Sequence, residues 1–200
     1  MPSLRDIKRR IRSVKNTQQI TKAMKLVAAS KLRKAQEAII KARPYAQKTR
    51  SILNSLAGRC DPDQHPFLNV REEKKVLVFL ITSDKGLCGG FNSNLIKKTV
   101  ETIKKKEGKE VLLVIAGKKG NDIFQSRPYK ILHKYIGWTR GFKYARAIEI
   151  ANTLGALFSE GTADKIYIIY NEFKSVLQQT VTTEQLLPIL KDKIDQELKV

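Results

Sequence analysis

VLVFLITSDKGLCGGFNSNLIKKTVETIKKKEGKEVLLVIAG, residues 76–117, reads as a strand, a glycine-rich turn, a helix and a second strand. VLVFLIT (76–82) and VLLVIAG (111–117) are short, unbroken apolar runs bounded by turn residues, the pattern of strands buried on both faces. FNSNLIKKTVETIKKK (91–106) lies between them and reads as a helix. Strand, helix and parallel strand form the repeating unit of an open α/β sheet. Downstream the alternation continues with a short helix at KKGNDIFQS, a helix over FKYARAIEIANTLGALFSEG and a strand at KIYIIYNEF (165–173). VLQQTVTTEQLLP (176–188) starts only a few residues later, at hairpin spacing, so an antiparallel edge is expected on a mainly parallel sheet. The fold class expected is α/β, with a Rossmann-like open domain over 75–190, a linker over 58–74 carrying Gly58, Pro62 and Pro66, and a tail over 191–200.

Upstream, residues 1–57 follow a different period. Alternate steps of three and four from Leu4 pass Ile7, Ile11, Val14, Gln18, Thr21, Lys25, Ala28, Leu32, Ala35, Ile39, Ala42, Ala46, Thr49, Leu53 and Leu56, and twelve of these sixteen are apolar. A period of 3.5 held that long is a coiled-coil seam and demands a partner helix. Ser3 and Asp6 form a variant capping box, Gly58 supplies a stop, and Pro44 predicts a kink with helix on both sides. The seam turns polar at Gln18, Thr21 and Lys25, while Ile20, Met24 and Val27 form a second apolar line on a shifted face. That interruption is either a stutter in the heptad or a place where the helix changes partners.

Charge is concentrated in the same element. Of a net +20, residues 1–57 hold fifteen Lys/Arg against Asp6 and Glu37, so the excess belongs to the helix and suits a polyanion, an anionic membrane surface or an acidic protein. A nucleic-acid-binding arm is the alternative use of such a helix, although it rarely needs twelve apolar seam positions. Cys60 and Cys88 form no CxxC and have no histidine cluster beside them, so neither a zinc site nor a disulfide framework is suggested. The start MPSLRDIKRR carries charge where a signal peptide needs an apolar core, and no run of eighteen apolar residues exists. An Arg-rich, acid-poor start also fits a transit peptide, but such patterns stop within a few turns and this one continues. The reading is of a soluble chain that is not secreted.

Enzyme chemistry finds little support. SDKGLCGGFN (83–92) could offer backbone N–H groups to a phosphate, yet GxGxxG and GxxxxGK[ST] are both absent and no acidic residue closes the second strand. The better reading is a structural turn with positive φ and close helix-to-strand packing. Cys88 could be a nucleophile, but His65 and His133 are remote, and a small buried thiol is expected instead. Asp84 and Lys85 lack a second carboxylate in a recognisable arrangement, which leaves helix capping and solvation. Trp138, Tyr135 and Arg140 could stack bases, but a lone aromatic cluster near a loop is more often core or interface. No catalytic residue, cofactor or metal is expected.

SLRDIKRRIRSVKNTQQITKAMKLVAASKLRKAQ, the ARPYA around Pro44, TSDKGLCGGFN, AGKKG and YNEFKS…LLP resemble, in this order and spacing, the gamma subunit of rotary ATP synthase over about residues 3 to 190. The resemblance implies a non-catalytic central shaft inside a ring of alpha and beta subunits, turned by an ion-translocating c ring. Its partners would be the alpha and beta subunits, an epsilon-type subunit and the c ring. Nucleic acid is not among them, and membrane association comes only through the complex, at the cytoplasmic face of the bacterial cell membrane or, as the lesser alternative, an organellar inner membrane. Carried onto this sequence, Thr21, Lys22, Met24, Lys25, Val27 and Ala28 would face the beta subunits, with Arg9, Arg10, Lys31 and Arg33 adding positive charge. Asp84, Lys85, Gly86, Cys88, Gly89, Gly90 and Asn92 would form the family's signature turn, at the foot that meets the epsilon-type subunit and c ring. The family also has a second long helix near its C-terminus, which this sequence does not reach at DKIDQELKV. The expectation is a truncated piece of a longer chain whose open seam drives self-association.

Overall fold

A computed structural model describes residues 3–59, 65–137, 144–176 and 178–189. The chain divides into two compact units, Met1–Ser55 and Leu56–Val200. The first is almost wholly the helix α1, which runs Leu4–Arg59 over 56 residues. Its start is a reciprocal capping box: the Asp6 amide donates to Ser3 Oγ at 3.3 Å, and the Ser3 amide and hydroxyl donate to Asp6 Oδ2 at 3.2 and 2.8 Å. Helix lies on both sides of Pro44. The stop expected at Gly58 is corrected, since α1 continues through it to Arg59. One glycine weakens a helix interior by only about 1 kcal/mol relative to alanine and does not by itself end it.

The second unit is built on a five-stranded sheet. After a 3₁₀ turn at Pro66–Leu68 come β1 (Lys75–Ile81), α2 (Phe91–Lys104), β2 (Glu110–Ala116), α3 (Lys118–Phe124), β3 (Lys130–Tyr135), α4 (Tyr144–Ser159), β4 (Lys165–Phe173) and β5 (Gln179–Leu187). The strand order is β3-β2-β1-β4-β5, with β5 antiparallel to β4 and every other pairing parallel. β1 and β2 are the buried apolar runs of the sequence, and Val76, Leu77, Val78 and Leu80 are completely buried. Each such side chain contributes about 1.5–3 kcal/mol. β3 is absent from the sequence reading. KILHKY is an edge strand with polar His133 and Lys134 exposed and a register shift against β2, so it shows neither a buried apolar run nor strict alternation.

Chain direction decides which face each helix covers. The steps β1 to β2 to β3 move one way across the sheet and put α2 and α3 on one face. There Leu95, Ile103 and Phe124 pack on Val76, Val78, Leu80, Leu113, Ile115 and Ile169. From β3 the chain returns past β1, and right-handed crossover places α4 on the opposite face. Ile150, Leu154 and Phe158 there cover Leu77, Phe79, Leu112, Val114 and Ile166. The reversal lies between β1 and β4, and the SDKGLCGGFN turn leaves the carboxyl end of β1 beside it.

Candidate partner-binding surfaces

Along α1, every residue whose side chain is described is exposed except Gln36, Ile39 and Thr49, which are half-buried. Seam residues Leu4, Ile7, Ile11, Val14, Leu32, Leu53 and Leu56 keep between 41% and 73% of their surface open, more than isolated apolar side chains on a monomer require. Ile20, Met24 and Val27 are 61%, 56% and 55% exposed, so the second apolar line is open as well. At about 100° per residue, the ten residues carried over from the family do not share one face. Arg9, Met24, Val27 and Lys31 fall within a sector of about 60° together with Ile20. Arg10, Thr21, Lys25 and Ala28 fall in the neighbouring sector, the last three of them on the seam itself, and Lys22 and Arg33 lie on a third side. Thr21 Oγ1 returns a hydrogen bond to Gln18 O at 3.0 Å, and Arg33 pairs with Glu37 at 3.0 Å on open surface. An exposed pair of that kind contributes well under about 1 kcal/mol.

The turn after β1 is held from inside. Ser83 N donates to Asn92 Oδ1 at 3.0 Å and Asn92 Nδ2 donates to Ser83 Oγ at 2.9 Å, while the Ser83 hydroxyl donates to Lys85 O. Asp84 reaches out of the turn, its Oδ1 accepting the amides of Lys118 and Gly137, each at 3.0 Å. It therefore ties the turn to the start of α3 and to the segment after β3. Gly89 and Leu87 both have positive φ, 57° and 60°, and Leu87 is fully exposed. The thiol of Cys88 is exposed, which corrects the expectation of a buried one. Its Sγ nonetheless joins the turn's polar network, accepting Asn92 Nδ2 at 3.1 Å, while the residue as a whole stays open to solvent. Gly86, Gly89 and Gly90 are exposed with it, as is Lys85.

The AGKKG motif has its own physical reason. Gly117 has φ 105°, and a Cβ there would stand 2.2 Å from Thr82 O; one at Gly120 would stand 2.9 Å from Thr82 Oγ1. That hydroxyl accepts the Gly120 amide at 2.9 Å and donates to Ala116 O at 3.2 Å, so the end of β1 and the start of α3 meet at backbone distance. Of the remaining residues weighed from sequence, His65 Nδ1 accepts the Phe67 amide at 3.2 Å, Tyr135 OH lies 2.9 Å from Thr153 Oγ1, and His133 is exposed on β3. Cys60, Trp138 and Arg140 lie outside the described residues. Among the described residues no group of three His, Cys, Asp or Glu could hold a metal, and no helix is long and apolar enough to cross a membrane.

A charged centre that sequence reasoning did not find lies in the segment before β1. Glu73 Oε1 accepts Lys106 Nζ at 2.6 Å and Lys109 Nζ at 3.0 Å, and its Oε2 accepts Lys165 Nζ at 2.9 Å. Burial alone would raise the Glu73 pKa, but the hydrogen bonds from Lys106, Lys165 and Lys109 override it and lower it from 4.5 to about 2. Burial likewise opposes the charge on Lys106, and its bonds to Glu73 and to Tyr167 OH, the latter at 2.9 Å, raise its pKa nonetheless. The four residues are spread over more than ninety positions of sequence, and no spacing rule joins them.

The family model described as ATP synthase matches residues 3–199. The chain belongs to the ATP synthase gamma-chain family. It is 45% identical over 203 residues to the ATP synthase gamma chain of Chlorobaculum parvum, covering 98% of this chain and 70% of that one. It is 46% identical over 188 residues to that of Pelotomaculum thermopropionicum, covering 94% and 66%, and 47% identical over 189 residues to that of Heliobacterium modesticaldum, covering 94% and 64%. The chain thus spans about two thirds of the length of these relatives. Among solved structures it is similar to the central stalk and c-ring assembly of Tetrahymena thermophila mitochondrial ATP synthase, with TM-score 0.67 and 27% identity over 84% of this chain and 72% of that one. The rotor of Euglena gracilis mitochondrial ATP synthase shares the fold, with TM-score 0.63 and 20% identity over 96% of this chain and 64% of that one. Family membership makes the gamma chain a component of a membrane-associated complex that makes or hydrolyses ATP, and the comparisons lend the nucleic-acid alternative no support.

Proposed function

We propose that this chain is the non-catalytic central shaft of a rotary ATP synthase, turned by the c ring and imposing successive conformations on the catalytic beta subunits around it. One observation carries the reading: α1 exposes an apolar heptad seam and, across Gln18 to Lys25, a polar and basic interruption with a second apolar line beside it. A helix with one sticky seam needs one partner. A helix whose seam changes character part-way suits two, a paired helix along the seam and a surrounding ring at the interruption. Ring contact without interlock is what rotation requires, and Thr21, Lys22, Met24, Lys25, Val27 and Ala28 supply it with short or flexible side chains. Arg9, Arg10, Lys31 and Arg33 add a positive field that favours acidic loops of the ring and speeds encounter.

The Asp84–Asn92 turn is a contact with another subunit of the same assembly. Leu87, fully exposed on a turn stiffened from inside, is the apolar group such a contact would cover. The bacterial relatives favour the cytoplasmic face of the cell membrane as the location, with attachment through the complex. Mixing the full-length chain with alpha and beta subunits tests the reading. One copy should enter each hexamer, incorporation should slow as salt rises, and Cys88 should lose its reactivity to maleimide once the whole complex is assembled. Tight binding to duplex DNA with no entry into a hexamer would overturn it.

A further inference from the structure

We propose that the cleft between the end of α2 and the start of β3 is a binding site for a phosphate group, carried by a free anion or by a lipid headgroup. The observation behind it is an imbalance in the Glu73 cluster. One carboxylate holds the ammonium groups of Lys106, Lys109 and Lys165, whose side chains are only 19%, 32% and 22% exposed. Three positive charges against one negative leave an excess of two. Charge drawn partly out of water without a counter-charge is costly, so a second anion beside these lysines is favoured.

Two of the three open onto a cavity. Lys106 and Lys109 line a cleft of about 710 Å³, together with Lys104 and Lys130. That volume lies within the range of about 300–1,000 Å³ usual for small-molecule sites. Buried Ile103 and half-buried Tyr129 belong to the same lining and give it apolar ground. Donor capacity remains as well, since an ammonium group carries three N–H donors. Among the described residues, Lys106 Nζ uses two of them, on Glu73 Oε1 and Tyr167 OH, and Lys109 Nζ uses one, on the same Glu73 oxygen. One donor on Lys106 and two on Lys109 are left for a ligand, on cations that stand side by side.

Glu107 and Glu110 also line the cleft, but both are exposed and pair with none of these lysines. Water therefore screens their charges more than it screens the half-buried ammonium groups. Complementing the helix dipole accounts for Lys104 in the last turn of α2, but not for Lys109 beyond it or Lys130 at the start of β3. The residue type selects the ligand. A carboxylate matches the flat fork of arginine, whereas a tetrahedral phosphate accepts from point charges on several sides. Four lysines and no arginine line the cleft.

The test is amine footprinting of the complete gamma chain, because a bound phosphate blocks a lysine and holds it in its unreactive ammonium form. Acetylation by an N-hydroxysuccinimide ester, read peptide by peptide, separates these lysines from those of α1. Potassium phosphate at roughly 10 mM, with ionic strength matched by potassium chloride, should slow labelling of Lys109 and Lys130 by at least about threefold and saturate. Lys97, exposed two turns before Lys104, should not change. A second arm replaces phosphate with phosphatidylglycerol vesicles, and phosphatidylcholine vesicles serve as the uncharged control.

Protection by free phosphate supports the site and assigns it a small anion; protection by phosphatidylglycerol vesicles alone supports it and assigns a headgroup. No protection in either arm overturns the proposal. So does an equal loss of labelling at Lys97, or equal protection by phosphatidylcholine. Lys109→Gln should abolish the protection at Lys130, and its persistence there refutes the site; Lys97→Gln should preserve it. Should Lys109→Gln not fold, Lys130→Gln changes an exposed residue outside the Glu73 cluster. It should weaken the protection of Lys109, and unchanged protection overturns the proposal.

Discussion

Glu73→Gln should cost the protein about 3 kcal/mol of folding stability at neutral pH, and the cost should fade in acid. The magnitude follows from the carboxylate's pKa, which moves from 4.5 to about 2. At about 1.4 kcal/mol per pH unit, that separation is worth about 3 kcal/mol once the group is ionised. With the side chain only 14% exposed, solvent screening removes little of it. Because the pKa in the folded state is the lower one, the contribution is complete above about pH 5 and is lost as pH falls toward 2. Urea unfolding of the parent and the variant, followed by tyrosine fluorescence at pH 7 and pH 3, reads the difference directly. Other carboxylates titrate in both proteins and cancel. The gap at pH 3 should be less than about half of that at pH 7. A gap under about 1 kcal/mol at pH 7, or one that does not change with pH, would refute the assignment of Glu73 as a buried ionic centre.

Gly117→Ala should destabilise the chain by more than about 3 kcal/mol in thermal unfolding, since the new Cβ would meet Thr82 O at 2.2 Å on a backbone with φ 105°. Asp84→Ala leaves the amides of Lys118 and Gly137 without their acceptor; it should cost about 1–3 kcal/mol and speed hydrogen exchange at those two amides. Leu87→Ala should change stability by less than about 0.5 kcal/mol, because the side chain is fully exposed, yet weaken assembly of the complex in a pull-down.

The parts of the fold legible in the sequence are those decided by local pattern. β1 and β2 are buried on both faces and read as unbroken apolar runs, and β4 and β5 announce a hairpin by their spacing. α1 is legible because its seam repeats for many turns and its Ser3–Asp6 cap is local. β3 was not, since an edge strand with exposed His133 and Lys134 shows no period. The turn's glycines pointed correctly to a positive-φ structure, but the exposure of Cys88 depends on how the turn closes on Asn92 in the first turn of α2, whose Nδ2 donates to both Ser83 Oγ and Cys88 Sγ. The Glu73 cluster was invisible for the same reason at longer range, as it joins residues separated by 33 and 92 positions.

The central claim is that this chain turns. A gold rod attached to Cys88 of the full-length chain, in a surface-fixed complex with alpha and beta subunits, should rotate in one direction when ATP is added and stop when it is removed. Steady ATP hydrolysis by that complex with the rod fixed in place would contradict the account.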